Sequence, residues 1–231
     1  MSSVPHQLKA VIFDLDGTLV DTADEFIIVV QALRAEHGMG TMNEDLIRSV
    51  VSSGARALVR LALGIEEEKP GTDLFSVFES KRLRLLELYS EVLGSAARPY
   101  PGIESLISNL QQRGIAWGIS TNKPRAYTVP LMEKLKLTPP PSCVVCPDDV
   151  TETKPHPEPL YLGCRQIGCA PHEAIYVGDH QRDIEAGRRA GMYTIAAAYG
   201  YIEADDDPSR WGADAQVQCS TELATLILDK P

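Results

Sequence analysis

The sequence predicts an α/β fold: a doubly wound parallel sheet with a helical subdomain inserted after its first strand. Three observations predict it. Apolar runs at 8–13, 116–120 and 174–177 each stop at a polar cluster, as strands buried on both faces of a parallel sheet do. From residue 100 onward, strand-like runs alternate with stretches of helical period. Between residues 20 and 93 the periodic segments all have helical spacing, and no strand pattern is visible.

In chain order, residues 1–7 form a loose lead-in and 8–13 the first strand. Thr22 or Asp21 caps a first helix, with Asp24 and Glu25 in its first turn and Phe26, Val29, Val30 and Leu33 as its apolar stripe. Gly38 and Gly40 end it. Asn43 or Thr41 opens a second helix through Val50, and Ser52-Ser53-Gly54 breaks it. A third helix spans 55–63 and stops at Gly64; after the Pro70-Gly71 turn a long fourth one spans 73–93. The α/β rhythm follows. Helix 103–113 stops at Gly114, strand 116–120 leads into Thr121-Asn122-Lys123-Pro124, and Pro124 suits the first turn of a helix ending near Leu137. A short strand at 143–146, a proline-studded loop at 151–159 and a helix at 160–167 come next. Strand 174–177 ends in Gly178-Asp179, helix 184–190 stops at Gly191, and strands at 194–198 and 216–219 precede a last helix at 221–228.

With 231 residues, 44% hydrophobic and 23% charged, the chain can bury a sizeable core as one large domain, or as a domain with a smaller insertion. A net charge of −10 argues against nucleic acid as a general partner, because phosphate contacts need basic surface. It leaves room for a small anionic substrate where a few cations are focused in a cleft. No apolar run reaches the roughly 20 residues of a membrane span, so no membrane partner is expected. The opening MSSVPHQLKAVIF lacks a signal-peptide pattern, which makes a cytoplasmic location the expectation. Five cysteines, an odd count, suit reduced thiols.

The chemistry gathers at strand ends. Asp14 and Asp16 stand two positions apart where the first strand stops, so in extended chain both project the same way. That end of an open α/β sheet is where ligands bind. Two carboxylates so close repel unless a cation lies between them or one is protonated. A divalent metal would leave Asp14 as a nucleophile toward phosphorus and Asp16 as a general acid and base. The plainer alternative is a strand-end turn made by Asp16-Gly17. Thr121 offers a hydroxyl for a phosphoryl oxygen, or a helix N-cap. Lys154, held between a strand and prolines, offsets negative charge, or is a solvated loop lysine. Asp179 ends a strand and can meet Asp14 in space. Asp183, four residues on, supports a metal directly or through water, or is a helix-start carboxylate stabilised by the macrodipole.

Asp-x-Asp-Gly-Thr, Ser-Thr-Asn, Lys-Pro and Gly-Asp-x-x-x-Asp occur in order at these loops, and together they resemble the haloacid dehalogenase superfamily of phosphotransferases. The resemblance implies a Rossmann-like catalytic core at 1–19 and 94–231 with a mobile helical cap at 20–93, Mg²⁺, and an aspartyl-phosphate intermediate. It makes Asp14 the nucleophile and Asp16 the acid/base. Thr121 and Lys154 then grip the phosphoryl group, and Asn122 contacts substrate beside them. Metal ligation falls to Asp14, Asp16 through its backbone carbonyl, and Asp179, with Asp183 assisting. The second aspartate argues against actual dehalogenation.

Ser-Gly-Ala-Arg-Ala at 53–57 falls in the stretch where this family's specificity loop lies. With Trp117, Cys146-Pro147-Asp148, the prolines of 155–159, Tyr199-Gly200-Tyr201 and Trp211-Gly212-Ala213-Asp214, the chain is similar to the phosphoglycolate phosphatase group. Within it the resemblance is nearest to the bacterial N-acetylmuramic acid 6-phosphate phosphatases of cell-wall recycling. The expected partner is a small phosphorylated metabolite, with 2-phosphoglycolate the alternative substrate. A sugar phosphomutase or a non-catalytic binding protein would use the same core. Arg56 contacts the substrate's carboxylate or phosphate, or is an exposed helix-start arginine. Monomer and homodimer both remain open.

Other features are read structurally. Cys143-x-x-Cys146 reads as two buried cysteines in a short strand, not as a zinc or redox site. His156, His172 and His180 read as loop residues, Asp205-Asp206-Asp207 as a solvated loop, and the Leu-rich 83–93 as packing within the helical insertion.

Overall fold

A computed structural model describes residues 4–5, 7–66 and 70–228; residues 1–3 and 6 of the expected lead-in lie outside the described residues. The chain divides into two compact units, Met1–Asp21 with Arg98–Pro231, and Thr22–Ala97.

Strand β1, Ala10–Phe13, has all four residues fully buried. It begins two residues later than the apolar run, although the Lys9 backbone already bonds on both sides, its N–H to the Glu173 carbonyl at 2.8 Å and its carbonyl to the Ala116 N–H at 2.9 Å, while its half-exposed side chain pairs with Glu173. After a turn comes β2, Val20–Asp21. The sequence reading placed no strand here, since two residues carry no readable period.

The helical unit contains α1 (Ala23–Glu36), α2 (Glu44–Val50), α3 (Gly54–Leu63) and α4 (Asp73–Val92). The expected stripe of α1, Phe26, Val29, Val30 and Leu33, is buried. Asn43 caps α2 by accepting the N–H groups of Asp45 and Leu46. Gly64 ends α3 in the left-handed conformation. Phe26 of α1 stacks on Tyr89 of α4, with ring centroids 4.3 Å apart and planes 10° from parallel. Glu25 is fully buried and accepts the N–H groups of Ala96 and Ala97 at 3.1 and 3.0 Å. It thereby ties the last residues of the unit to its first helix.

The α/β unit resumes with β3 (Arg98–Pro99), which pairs antiparallel with β2. This ribbon draws Val20 and Asp21 into the α/β unit, while Leu93 to Ala97 stay with the helices. The observed division therefore falls at 21/22 and 97/98, where the sequence reading had 19/20 and 93/94. Next come α5 (Ile103–Gln112), β4 (Ala116–Ser120), α6 (Arg125–Leu135), β5 (Cys143–Val145), α7 (Glu158–Ile167), β6 (Ala174–Gly178), α8 (Gln181–Ala190), β7 (Tyr193–Ala197), β8 (Ala215–Val217) and α9 (Glu222–Leu228). Helix α6 stops two residues short of the expected Leu137, because Lys136 takes a left-handed conformation at φ 52°. Pro124 sits at its N-cap rather than inside the first turn. Cys146 lies just beyond β5, and both it and Cys143 are buried.

Among the described residues, six parallel strands form one sheet in the order β5-β4-β1-β6-β7-β8. The chain steps outward on one side of β1 through β4 and β5, then on the other through β6, β7 and β8. The carboxyl end of β1 therefore lies at the reversal of strand order, the position where open α/β sheets bind ligands. Among the described residues no helix is long and apolar enough to cross a membrane.

Candidate active site

The site forms at the carboxyl ends of β1, β4, β5 and β6, four strands adjacent in the sheet. Asp14 follows β1, Thr121 follows β4 and Asp179 follows β6. Lys154 lies in the loop after β5, and Asp183 in the first turn of α8. The order β5-β4-β1-β6 thus brings together side chains that are up to 169 positions apart in sequence, from Asp14 to Asp183.

Asp14 and Asp16 do not share one extended strand. The β1 ladder stops at Phe13, the N–H groups of Leu19 and Val20 both return to the Leu15 carbonyl, and the Gly17 N–H reaches the Val20 carbonyl at 3.0 Å. In this tight turn the two carboxylates take different partners. Asp14 Oδ1 lies 3.1 Å from Lys154 Nζ and accepts the Leu15 N–H at 2.7 Å. Asp16 accepts Lys123 Nζ with both oxygens, at 2.9 and 3.2 Å. Gly17 makes the turn possible. Its φ is +78°, and a Cβ there would collide with the Asp179 carboxylate; one at Gly200 would strike Asp179 as well.

Asp14, Asp179 and Asp183 each offer a carboxylate oxygen within 4.8 Å of the others. Asp179 is held by the Thr18 hydroxyl at 3.2 Å and the Tyr201 N–H at 2.9 Å. Asp183 is fully buried; its Oδ2 accepts the His180 N–H at 3.1 Å. Burial pushes the Asp14 carboxyl up to about 6 against the pull of Lys154, and Asp183 adds to the rise. Three converging carboxylates, one of them resisting ionisation, form an all-oxygen set that a hard divalent cation fits and whose mutual repulsion it relieves. The Asp16 carboxylate stands outside this triad, so a part for Asp16 in metal binding rests on its backbone carbonyl.

Lys154 is 3% exposed. Burial opposes its charge, but Asp14 and Asp183 outweigh that and hold the ammonium above the ordinary lysine range. Its Nζ contacts Asp183 Oδ1 at 2.6 Å, the Tyr176 hydroxyl at 2.7 Å and the Ser120 carbonyl at 2.9 Å. Thr121 is buried, with its hydroxyl accepting the Lys123 N–H at 3.1 Å. Asn122 donates its amide to the Lys154 carbonyl at 3.0 Å and so braces the lysine loop. Arg56 lies in the helical unit, in α3, paired with Glu79 at 2.9 Å. His180 caps α8 half-buried, whereas His156 and His172 are exposed.

Two participants escaped the sequence reading. Lys123 carries the same signal that raised Lys154, a lysine directly before proline after a strand end. Tyr176 is a ring in the middle of an apolar run, where its hydroxyl gives no local sign of its partners. Burial and the surrounding carboxylates hold that phenol well above the ordinary tyrosine range, so it stays a donor.

Comparison with known proteins agrees with this geometry. Residues 11–197 match the family model described as haloacid dehalogenase-like hydrolase. An N-acetylmuramic acid 6-phosphate phosphatase of Pseudomonas aeruginosa is 44% identical over 96% of this chain and 95% of its own. A phosphoglycolate phosphatase of Xanthomonas campestris is 37% identical over 93% of this chain and 94% of its own. The crystal structure of a predicted phosphoglycolate phosphatase from Haemophilus somnus superposes with a TM-score of 0.80 at 25% identity, covering 95% of this chain and 98% of that one. The match spans both the sheet and the strand-end motifs, and the chain belongs to the haloacid dehalogenase-like hydrolases.

Proposed function

We propose that this chain is a magnesium-dependent phosphatase acting on N-acetylmuramic acid 6-phosphate. The observation that carries the chemistry is the Asp14 carboxylate, packed against Lys154 beside the Asp179 and Asp183 carboxylates at the reversal of strand order. The substrate follows the 44% identity to the Pseudomonas aeruginosa enzyme across nearly both full chains.

Asp14 attacks phosphorus in line, while Asp16 gives a proton to the departing sugar oxygen; Asp16 then takes a proton from the water that hydrolyses the aspartyl phosphate. In this structure Lys123 Nζ contacts both Asp16 oxygens; in the first step Asp16 enters as the carboxylic acid, with the proton on one oxygen and Lys123 on the other, and the water returns that proton in the second step. Lys154 offsets charge on Asp14 and on the phosphoryl group, and Thr121 receives a phosphoryl oxygen. A bound Mg²⁺, held by Asp14, Asp179 and the Asp16 carbonyl with Asp183 assisting, would supply positive charge against the transferring group. Asn122 acts by bracing the lysine loop.

Phosphate release from a panel of esters, with magnesium and with EDTA, tests this. N-acetylmuramic acid 6-phosphate is expected to exceed phosphoglycolate and glucose 6-phosphate by at least about tenfold in kcat/KM, a gap of about 1.4 kcal/mol, with EDTA abolishing all release. The 37% identity to the Xanthomonas enzyme supports phosphoglycolate as the second reading, and a reversed preference would select it.

A further inference from the structure

Two lysines divide the two carboxylates of the turn after β1. Lys154 Nζ lies 3.1 Å from Asp14 Oδ1, whereas Lys123 Nζ lies 2.9 and 3.2 Å from the two oxygens of Asp16. The Lys123 and Asp16 side chains are 7% and 16% exposed, so this is not a solvated surface pair held loosely by two long side chains. The lysine backbone is anchored on both sides. Its N–H donates to the Thr121 hydroxyl at 3.1 Å, and its carbonyl accepts the hydroxyl of the fully buried Thr128 at 3.1 Å. Pro124 follows at once and α6 starts at Arg125. The ammonium therefore reaches Asp16 from a fixed point of the chain between β4 and α6.

An ammonium has three donors and no acceptor. In a protonated carboxyl the carbonyl oxygen is the stronger acceptor, so the ammonium holds that oxygen and leaves the acidic proton on the other. We propose that Lys123 is a positioning residue for Asp16: it selects the oxygen that carries the proton and fixes the carboxyl while that proton leaves and returns. In the first step the Asp16 O–H bond breaks as the departing oxygen gains the proton and its bond to phosphorus opens. In the second, water gives a proton to Asp16 while its oxygen joins phosphorus and the bond from phosphorus to Asp14 breaks. This proposal rests on the phosphatase reading above.

The test separates proton transfer from the rest of the site. A dinitrophenyl ester leaves as a stable anion and needs no proton, whereas an alkyl ester does. With Lys123→Met in excess over substrate, the first step on N-acetylmuramic acid 6-phosphate is expected to slow by at least about tenfold, and that on dinitrophenyl phosphate to stay within about threefold of wild type. An equal loss on both esters would reduce Lys123 to a structural residue, and an unchanged rate on the alkyl ester would remove it from the mechanism; either overturns the proposal. A second readout needs no turnover. In protein carrying ¹³C at the aspartate carboxyls, with the Asp16 resonance assigned through Asp16→Asn, Lys123→Met is expected to shift that resonance, and an unmoved resonance overturns the proposal as well. Should the wild-type chain cleave neither ester, the phosphatase reading fails by itself, and the resonance still decides whether Lys123 governs Asp16.

Discussion

Asp14→Asn stops phosphate release, with kcat falling by about four orders of magnitude or more, while the chain stays folded. The amide keeps the shape of the carboxylate but lacks a charged oxygen to attack phosphorus. Folding is not expected to suffer. Burial drives the Asp14 carboxyl up to about 6, so above that pH its ionisation works against the folded state in the absence of metal. The sign is that of a raised carboxylate: the native state favours the protonated form, and stability declines as pH rises through the folded value. Replacing it with a neutral amide removes that penalty. The melting temperature of the metal-free variant at pH 8 should equal or exceed that of the wild type. Activity within about tenfold of wild type would dismiss Asp14 as the nucleophile.

Lys154→Met has the opposite profile, a loss of both activity and stability. The lysine side chain is 1% exposed and lies within 3.1 Å of two carboxylates, Asp14 and Asp183. Removing one partner of a buried ion pair strands the other charges, a cost of about 3–5 kcal/mol. For a domain of this size that corresponds to a drop in melting temperature on the order of 10 °C. Magnesium should restore part of it, because the cation supplies the missing positive charge to the same carboxylates. Thermal unfolding with and without magnesium checks this. A variant as stable as the wild type in EDTA would show that the carboxylates do not depend on Lys154.

The α/β sheet was legible because each buried strand is an apolar run cut off by a polar cluster, and the same interruptions mark Asp14, Thr121 and Asp179. Strand order, which sets those ends side by side, is a tertiary property. So is the partner exchange at Asp14 and Asp16: alternation along an extended strand put both carboxylates on one side, but the chain turns at Leu15 and sends Asp16 to Lys123. The β2–β3 ribbon was invisible because two residues fall below any period. Its pairing moves both unit boundaries. Tyr176 was unreadable for another reason: in Ala-Ile-Tyr-Val-Gly it fits a core strand, and only the fold brings Lys154, Ser120 and Asp183 to its hydroxyl. Lys123 was readable in principle, since it shares the lysine-proline step of Lys154, but its partner Asp16 lies 107 positions away.

The central claim is that Asp14 itself carries the phosphoryl group between two steps. The direct measurement is to mix the wild-type protein with N-acetylmuramic acid 6-phosphate and magnesium, quench in acid within milliseconds, and map phosphorylation by peptide mass spectrometry. The account requires one added phosphoryl group on the peptide containing Asp14, absent in Asp14→Asn and absent when EDTA replaces magnesium. Turnover with the label on another residue, or turnover with no covalent label at any quench time, would contradict it.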